Sequence, residues 1–316
     1  MIKIRRRGMP RKTRSQNILI IILFVLLAVA FVFSRSIKSG GQSSIIAFPT
    51  TNENKQSASA TENQSAMAAP ESNQKMDIPE NLLLGKPTAQ QRDSLFVNVA
   101  PGFGNRDGLL MHHKAYEAFQ EMHEAARADD ISLTIISAFR DFSHQQRIWE
   151  SKWTGRRVLS GNVVATSISD PAERAREILR YSAMPGSSRH HWGTDIDLNS
   201  LDNAYFLSGK GKKEYEWLVN NAHRFGFCQP YIARDLRKGM GYEEEKWHWS
   251  YMPIATDYLA AYREKITYND IGGFAGAETA KPIGIIENYV MPIAEKCLFW
   301  KEDNPFNPQD SKLKRY

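Results

Sequence analysis

The sequence predicts an α+β fold in which a small, mainly antiparallel sheet is flanked by helices and preceded by one transmembrane helix. Three observations lead to this prediction. An unbroken apolar run lies near the N-terminus, short strand-like segments are separated by single helical segments, and long loops connect them. These features divide the chain of 316 residues into an N-terminal membrane segment, a tether, a folded domain and a C-terminal extension.

The N-terminal stub, residues 1–16, is strongly basic and contains seven Lys and Arg residues and no acidic residue. Since the net charge of the whole chain is +6, the rest of the chain carries one net negative charge. The basic excess therefore belongs to the stub, and no nucleic-acid partner is expected.

The apolar run of residues 18–33 predicts a transmembrane anchor over residues 17–34, in contact with the lipid bilayer. With its flanks, the run reaches the lower limit of about 17 residues for a membrane-spanning helix. The basic stub predicts that the N-terminus stays in the cytoplasm and that the remainder is exported. A cleaved signal peptide is the alternative, but Ser34 and Arg35 after bulky apolar residues make a poor cleavage site.

The composition of residues 35–80 predicts a flexible tether. Most of this segment consists of Ser, Gln, Asn, Ala and Thr with scattered charges. Such a composition cannot bury enough apolar surface to offset the entropy lost on ordering. As a flexible coil, the tether would have a root-mean-square reach on the order of 35 Å.

The folded domain is predicted over residues 81–263. Four apolar residues recur at helical spacing: Ala115, Phe119, Met122 and Ala126. The β-branched run of residues 131–137 follows them and predicts a strand. This strand would pack on the helix and would deliver Arg140 at its end.

The connection formed by residues 150–184 is a basic, polar insertion with a helix of its own. Asp170 as N-cap, Pro171 as the first helical residue and Glu173 at the third position mark the start of that helix. Its place before the His190 segment makes the insertion a candidate lid or wall of a cleft. Farther along the chain, residues 215–224 predict a helix that stops at Gly226.

Two segments contain the pattern of a metal site: SSRHHWGTDIDL at residues 187–198 and EKWHW at residues 245–249. A hydrolytic zinc site uses three imidazole and carboxylate ligands and leaves a fourth position for water. That ligand set is supplied by His190, Asp197 and His248.

Alternation of polar and apolar residues over 194–198 predicts a strand with Asp195 and Asp197 on one face. Asp195 then becomes a partner for a ligating imidazole. Glu245 is expected on a loop entering the second strand, where its carboxylate could take a proton from water. Trp247 and Trp249 are expected to form an apolar wall of the site.

These motifs resemble those of the zinc D-Ala-D-Ala carboxypeptidases and, more narrowly, the VanY-like branch (M15B) of the M15 peptidases. The pattern S-x-H-x-x-G-x-x-x-D starts at Ser188, and E-x-W-H starts at Glu245. The resemblance covers a little over half of the chain and implies the α+β fold that this family shares with hedgehog-like domains. It also implies that His190, Asp197 and His248 bind Zn²⁺ and that Glu245 is the catalytic base.

A third block, residues 137–145, is similar to the S-G-Y-R-S-Y-x-x-Q segment of the same family. The resemblance implies that Arg140 contacts the developing oxyanion or the terminal carboxylate of the substrate. It implies substrate contacts for three further residues: Ser137, Gln145 and Ser188. The chain departs from the family pattern at Ala138, Asp141 and Asp195. These departures bear on substrate fit more than on metal binding.

The resemblance therefore implies a membrane-anchored, exported zinc peptidase that removes the terminal D-Ala of peptidoglycan stem peptides. An L,D-carboxypeptidase or an endopeptidase on the same scaffold is the alternative, because cleft length and not the metal site separates these activities. A third hypothesis is a zinc-retaining module that binds the wall without turnover. The presence of both Glu245 and Arg140 argues against it.

Residues 264–316 form the C-terminal extension. Its apolar stretch, residues 283–293, is expected to pack against the domain, with binding of the wall or of a partner as the alternative. Cys228 and Cys297 are the two cysteines of the chain. They could pair in an oxidising compartment or remain as buried free thiols.

Overall fold

The computed structural model describes residues 77–237 and 241–298, all of which belong to one unit formed by residues 71–316. The predicted stub and anchor, residues 1–16 and 17–34, lie outside the described residues, as does most of the predicted tether. Within the described ranges, no helix combines the length and the apolar character needed to span a bilayer.

Six short strands form two antiparallel sheets in the described residues. The strands are β1 Phe96–Asn98, β2 Leu110–His112, β3 Ile135–Ser137, β4 Asp195–Leu198, β5 Phe227–Cys228 and β6 His248–Tyr251. The first two pair with each other, and the other four form a sheet in the order β3–β4–β6–β5. The α+β class with small antiparallel sheets is confirmed, although there are two sheets rather than one.

Helices surround the larger sheet. The α-helices are α1 Glu80–Leu83, α2 Ala89–Leu95, α3 His113–Ala128, α4 Phe142–Trp153, α5 Pro171–Ile178, α6 Gly209–Asn221, α7 Met252–Lys265, α8 Ala280–Ile283 and α9 Glu295–Leu298. A π-helical turn covers Ile286–Val290. Short 3₁₀ turns complete the connections, and the turn Arg189–Trp192 is part of the site.

Helix α3 forms where the spacing of apolar residues predicts it. All four of the predicted apolar residues are buried: Ala115, Phe119, Met122 and Ala126. The next strand is shorter than the run of residues 131–137 that predicts it: β3 begins only at Ile135. Just before it, the backbone N–H of Thr134 donates to Oδ1 of Asn199 instead of joining the ladder.

The helix boundaries in the second half of the domain follow local capping chemistry. Asp170 accepts a hydrogen bond of 2.8 Å from the N–H of Glu173, and Pro171 occupies the first turn, so the predicted start of α5 is confirmed. Helix α6 begins six residues before the predicted position, at Gly209. Its continuation as a 3₁₀ turn ends at Gly226, which has φ 82°, so the predicted stop is also confirmed.

The larger sheet has one apolar face and one polar face. Ile196, Leu198 and Trp249 pack into the core that contains the buried face of α3. Because side chains alternate along a strand, the remaining residues project to the other face. That face carries Asp195, Asp197, His248 and Ser250. The sheet thus separates the hydrophobic core from the polar site.

A second core holds the C-terminal segment against α4, α5 and α7. From the predicted apolar stretch, residues 283–293, it includes Ile283, Ile285, Ile286, Tyr289, Val290 and Ile293. Cys228 in β5 and Cys297 in α9 form a disulfide with a Cα–Cα distance of 5.9 Å. The two thiols are therefore paired, and the C-terminal segment is covalently joined to the sheet.

Candidate metal centre and cleft

The register of β4 and β6 brings the two halves of the sequence pattern together. Asp197 lies directly opposite His248, and Asp195 lies directly opposite Ser250. Side chains of directly opposed residues share a face of the sheet and lie close together. The antiparallel ladder therefore pairs residues that are 51 positions apart in the chain.

His190 reaches the same place from the 3₁₀ turn Arg189–Trp192. The turn ends at Gly193, which has φ 68°. A Cβ atom at this position would lie 2.5 Å from Cε1 of Phe96, so only glycine allows this tight entry into β4. Nδ1 of His190 donates a 2.8 Å hydrogen bond to the carbonyl of Ala138, which leaves Nε2 facing the site.

His190, Asp197 and His248 form a compact set of ligand atoms within 4.8 Å of one another. Nε2 of His190 lies 3.4 Å from Oδ2 of Asp197, and Nδ1 of His248 lies 3.1 Å from Oδ1. Ligands of a tetrahedral zinc ion lie roughly 3.4 Å apart. Nε2 of His190 is buried and has no hydrogen-bond partner. The donor set, its spacing and this unpaired nitrogen fit a zinc ion.

Asp195 supports the site from behind. Its Oδ2 accepts hydrogen bonds of 2.9 Å from Nε2 of His248 and from Nε of Arg189. Its Oδ1 accepts hydrogen bonds from the hydroxyls of Thr194 and Ser250, at 2.8 and 2.7 Å. Because Nε2 of His248 carries the proton given to Asp195, Nδ1 is the nitrogen available to a metal. Asp195 thus has the supporting position that the sequence predicts.

The buried carboxylates and imidazoles shift one another's pKa values. Burial alone would raise the pKa of Asp197, but His190 and His248 hold it well below its usual range. Burial alone would lower the pKa of His248, but its hydrogen bonds to Asp195 and Asp197 raise it to about 9. A cation bound between these groups would replace that imidazolium proton and would stabilise the carboxylate charge.

Glu245 lies beside the ligand set, on the loop that enters β6. Its Oε2 is 3.5 Å from Nδ1 of His248. Burial raises the pKa of Glu245 to about 7, Asp197 adds to this rise, and His248, Arg140 and Lys152 oppose it. A carboxylate with such a pKa can accept and return a proton near neutral pH.

Arg140 follows β3 and reaches the other side of the ligand set. Its Nη2 lies 3.9 Å from Oδ2 of Asp197, and its buried Nε has no hydrogen-bond partner. Its backbone is fixed to the ligand turn: its N–H donates to the carbonyl of His190, and its carbonyl accepts from Nδ1 of His191. The guanidinium is therefore held beside the metal position with unused donors.

The three expected substrate-binding residues lie in different environments. Ser137 is half-buried, lies opposite Asp197 in the sheet and lines the main cleft. Ser188 is buried and lines a smaller pocket beside His190. Gln145 is fully buried, and its Nε2 donates 2.7 Å to the carbonyl of Ala183. Gln145 thus supports the cleft wall and has no exposed atom that could contact a substrate.

Two cavities meet at the metal position. The main cleft has a volume of about 650 Å³, and the small pocket has a volume of about 30 Å³. Arg140 and Glu245 line both. One wall of the main cleft comes from the 150–184 insertion, as predicted, and includes Leu159, Ser160 and Ile178.

The two tryptophans around His248 have different roles. Trp247 lines the main cleft, as predicted. Trp249 instead packs on the opposite, apolar face of the sheet, so its predicted place in the wall of the site is wrong. The alternation of side chains along β6 accounts for the difference, because Trp249 directly follows His248.

Sequence reasoning missed three polar residues of the site: Lys152, Arg189 and Tyr242. Lys152 lines the main cleft, whereas Arg189 and Tyr242 line the small pocket. Arg189 could have been inferred, because a buried Asp195 needs a cation nearby. Lys152 belongs to the 150–184 insertion, whose pattern does not indicate which of its residues face the cleft, and Tyr242 stands in a segment whose path no local pattern indicates.

Residues 108–254 match the family model described as VanY: D-alanyl-D-alanine carboxypeptidase. A D-alanyl-D-alanine carboxypeptidase of Enterococcus faecalis is 31% identical over 135 residues, which cover 43% of this chain and 46% of that protein. The chain spans between 45% and 60% of the length of the four curated relatives that it matches.

Two solved structures are also similar. VanYB in complex with D-alanine-D-alanine is 24% identical, with a TM-score of 0.40 and coverage of 54% of this chain and 83% of that one. The LdcB LD-carboxypeptidase is 20% identical, with a TM-score of 0.39 and coverage of 60% and 78%. From the match over residues 108–254, we conclude that this segment belongs to the VanY family, as the motifs predict.

Proposed function

We propose that this protein is a zinc-dependent D-alanyl-D-alanine carboxypeptidase that hydrolyses the terminal D-Ala of peptidoglycan stem peptides. One observation carries the proposal: Glu245 lies 3.5 Å from His248, at the edge of a buried ligand set within the VanY-family segment. A binding module would have no need of a proton-accepting carboxylate at this point. Both Glu245 and Arg140 argue for turnover.

His190, Asp197 and His248 would hold the zinc ion, through Nε2, a carboxylate oxygen and Nδ1. When bound, Zn²⁺ supplies a Lewis acid that polarises the scissile carbonyl and lowers the pKa of a water molecule to about 7. Glu245 takes the proton of the attacking water and delivers it to the nitrogen of the departing D-alanine. Its raised pKa suits both steps, because the proton is neither held too tightly nor too weakly.

Arg140 would stabilise the negative charge that develops on the carbonyl oxygen. Its buried Nε–H is available for this purpose, since it has no partner among the described residues. A charge-assisted hydrogen bond in a dry site is strong, and it is set in place before the reaction begins.

The small pocket supplies further donors beside the metal position. Its volume of about 30 Å³ corresponds to roughly two water molecules on the same measure. Arg189 and Tyr242 line this pocket. Nη1 of Arg189 and the hydroxyl of Tyr242 are buried donors, and Nη1 has no hydrogen-bond partner among the described residues. Such donors suit the terminal carboxylate of a substrate.

We further propose that the anchor over residues 17–34 holds the protein in a membrane with the N-terminus in the cytoplasm. The tether of residues 35–80 would then let the catalytic domain reach the wall outside the cytoplasm. The apolar run and its basic flank support this proposal. Protease protection of the N-terminal stub in sealed cells would test it.

Mass-spectrometric product analysis tests the proposed activity. The protein is incubated with pentapeptide and tetrapeptide muropeptides, with and without a chelator. We expect the pentapeptide to lose one D-alanine, the chelator to abolish this loss, and added zinc to restore it.

Other products would point to the alternatives. Cleavage of the tetrapeptide alone would indicate an L,D-carboxypeptidase, and cleavage of cross-linked dimers would indicate an endopeptidase. Zinc binding without any cleavage would indicate a wall-binding module. The Glu245→Gln variant serves as the control for contaminating peptidases, because it should bind zinc and release no D-alanine.

A further inference from the structure

Lys152 occupies an unusual position in the main cleft. It lies in the last turn of α4, lines the main cleft and is half-buried. Its ammonium donates a hydrogen bond to Oγ of Ser182, which also lines the cleft. Among the described residues, no carboxylate lies within 4.0 Å of its nitrogen. Two of its three N–H donors therefore remain available to the contents of the cleft.

A half-buried ammonium without a counterion is unfavourable. Burial lowers the pKa of Lys152 to about 8, and Arg157 and Arg140 lower it as well, against an opposing effect of Glu245. Both desolvation and neighbouring cations thus act against the charged form. A carboxylate brought into the cleft would reverse this balance and would gain a charge-assisted hydrogen bond.

Four cationic side chains and four carboxylates line the cleft. The basic side chains that line it are Arg106, Arg140, Lys152 and Arg157. Of the carboxylates, Asp197 and Glu245 belong to the metal centre. Glu177 pairs with Arg180 at 2.9 Å, and Asp202 accepts the N–H of Ala204 at 2.9 Å. Among the described residues, neither Lys152 nor Arg157 has a carboxylate within 4.0 Å of its side-chain nitrogens, so their part of the cleft favours an occupant that brings negative charge.

We infer that Lys152, together with Arg157, forms a carboxylate subsite that selects stem peptides bearing a second free carboxylate besides the C-terminal one. This inference rests on the proposed function, since it concerns the occupant of the same cleft. Two groups of a stem peptide have this chemistry. One is the α-carboxylate of a γ-linked D-glutamate at the second position, and the other is the side-chain carboxylate of diaminopimelate at the third.

A stem with lysine at the third position lacks the second of these carboxylates but keeps the side-chain ammonium, which in diaminopimelate stands beside that carboxylate. Lys152 and Arg157 would repel that ammonium if the third residue lies against them. Lys152 is thus a specificity-determining residue and takes no part in the bond-breaking step.

The test uses the full chain loaded with zinc and a set of four pentapeptides. The reference peptide has both internal carboxylates free. Two others are amidated at one carboxylate each, and the fourth carries lysine at the third position. The amidated peptides distinguish the two possible sources of the carboxylate. We measure kcat and KM for each peptide with the wild-type protein and with the Lys152→Met, Lys152→Arg and Lys212→Met variants.

We expect amidation of the recognised carboxylate to lower kcat/KM roughly 10- to 100-fold, mainly through KM, as for the loss of a hydrogen bond to a charged group. Lys152→Met should lower kcat/KM for the reference peptide roughly 10-fold or more beyond its effect on that amidated peptide, since any effect of the lost charge on Glu245 is common to both peptides. Lys152→Arg should retain the preference. Lys212, an exposed residue that pairs with Glu216 away from the cleft, is the matched control and should behave as wild type.

Two results would overturn the inference. One is an equal kcat/KM of the wild-type protein for all four peptides, and the other is an equal loss on all peptides in Lys152→Met. If the wild-type protein cleaved none of the peptides, the proposed function would fail. Calorimetric Kd values for the same peptides would still test the carboxylate subsite. An unchanged Kd for the reference peptide in Lys152→Met would then reject the subsite, whereas a 10-fold weaker Kd would support it.

Discussion

Nε2 of His248 donates a hydrogen bond of 2.9 Å to Oδ2 of Asp195, and the same oxygen accepts a hydrogen bond of 2.9 Å from Arg189. The side chains of Asp195 and Arg189 are fully buried. One carboxylate thus orients a candidate metal ligand and neutralises a buried guanidinium. The metal centre and the local stability of the sheet are therefore coupled through Asp195.

The Asp195→Asn substitution tests this coupling. The amide leaves Arg189 without a counter-charge and weakens the hold on the imidazole of His248. We expect zinc affinity to fall about 10- to 100-fold. The free energy of unfolding should fall by about 3–5 kcal/mol, because a buried ion pair is broken on one side only. Competition with a chromophoric chelator measures the first effect, and urea denaturation of the metal-free protein measures the second.

The double substitution Arg189→Met with Asp195→Asn separates the two effects. Removing the guanidinium as well takes away the unpaired buried charge, so much of the lost stability should return. Zinc affinity should stay low, since the carboxylate that orients His248 is still missing. Recovery of both properties together would show that Asp195 acts on the metal centre only through stability.

Much of the fold and of the metal centre could be predicted because the signals are local. The apolar spacing around Phe119 predicts α3, the Asp170 cap predicts the start of α5, and the alternation around Asp197 predicts β4. The pairing of Asp197 with His248 is not local: ligand chemistry and the family resemblance group the two segments, but neither predicts the strand register that places them opposite each other.

The remaining residues of the cleft could not be found in this way. Lys152 lies on a helix whose own pattern predicts nothing about the facing wall, and it meets Ser182 from a segment 30 residues away. Gln145 shows the converse: its place in a motif predicts substrate contact, whereas the packing of α4 buries its side chain. Which side of a helix faces a cleft depends on tertiary packing that one sequence does not specify.

Glu245→Gln should separate metal binding from chemistry. The amide is of similar size but cannot accept the proton of the attacking water. We expect turnover to fall about 10²- to 10⁴-fold, as for the loss of a general acid–base group, while zinc content stays at one equivalent. Metal analysis of the purified variant checks the second point. Loss of zinc would instead place Glu245 among the ligands.

Arg140→Lys retains a positive charge but removes the planar guanidinium and its buried Nε–H. Because a lysine ammonium cannot reproduce that fixed donor, we expect kcat to fall about 10²-fold with a smaller change in KM. Steady-state kinetics on the pentapeptide measures both parameters. A near-normal kcat with a raised KM would mean that Arg140 holds the ground-state substrate and not the developing oxyanion.

The disulfide between Cys228 and Cys297 should contribute strongly to stability. It closes a loop spanning 69 positions, for which chain entropy predicts about 4 kcal/mol. In the ladder between β5 and β6, Cys228 lies opposite Ser250, whose hydroxyl donates to Asp195. We expect the Cys228→Ser, Cys297→Ser variant to unfold at a lower urea concentration than the oxidised protein. Since the chain has two cysteines, a reductant should have the same effect on the wild type and none on the variant.

The affinity for doubly anionic stem peptides should decrease above about pH 8. Burial lowers the pKa of Lys152 to about 8, so its ammonium is present at neutral pH and is lost as the pH rises. A bound carboxylate favours the charged form of Lys152. In the complex, Lys152 therefore loses its proton at a higher pH than in the free protein. We therefore expect KM for the reference pentapeptide to rise between pH 7 and pH 9.5, while KM for the peptide amidated at the recognised carboxylate changes little.

Lys152→Arg isolates the contribution of this one group. A guanidinium stays charged over the whole range, so the rise in KM should disappear in this variant. The other titratable groups that line the cleft are Arg106, Arg140, His144, Arg157, Glu177, Tyr181, Asp197, Asp202 and Glu245. They are unchanged in the variant, and any pH dependence that they cause would persist. A rise in KM of equal size in wild type and Lys152→Arg would therefore assign the effect to one of these groups and remove Lys152 as its origin.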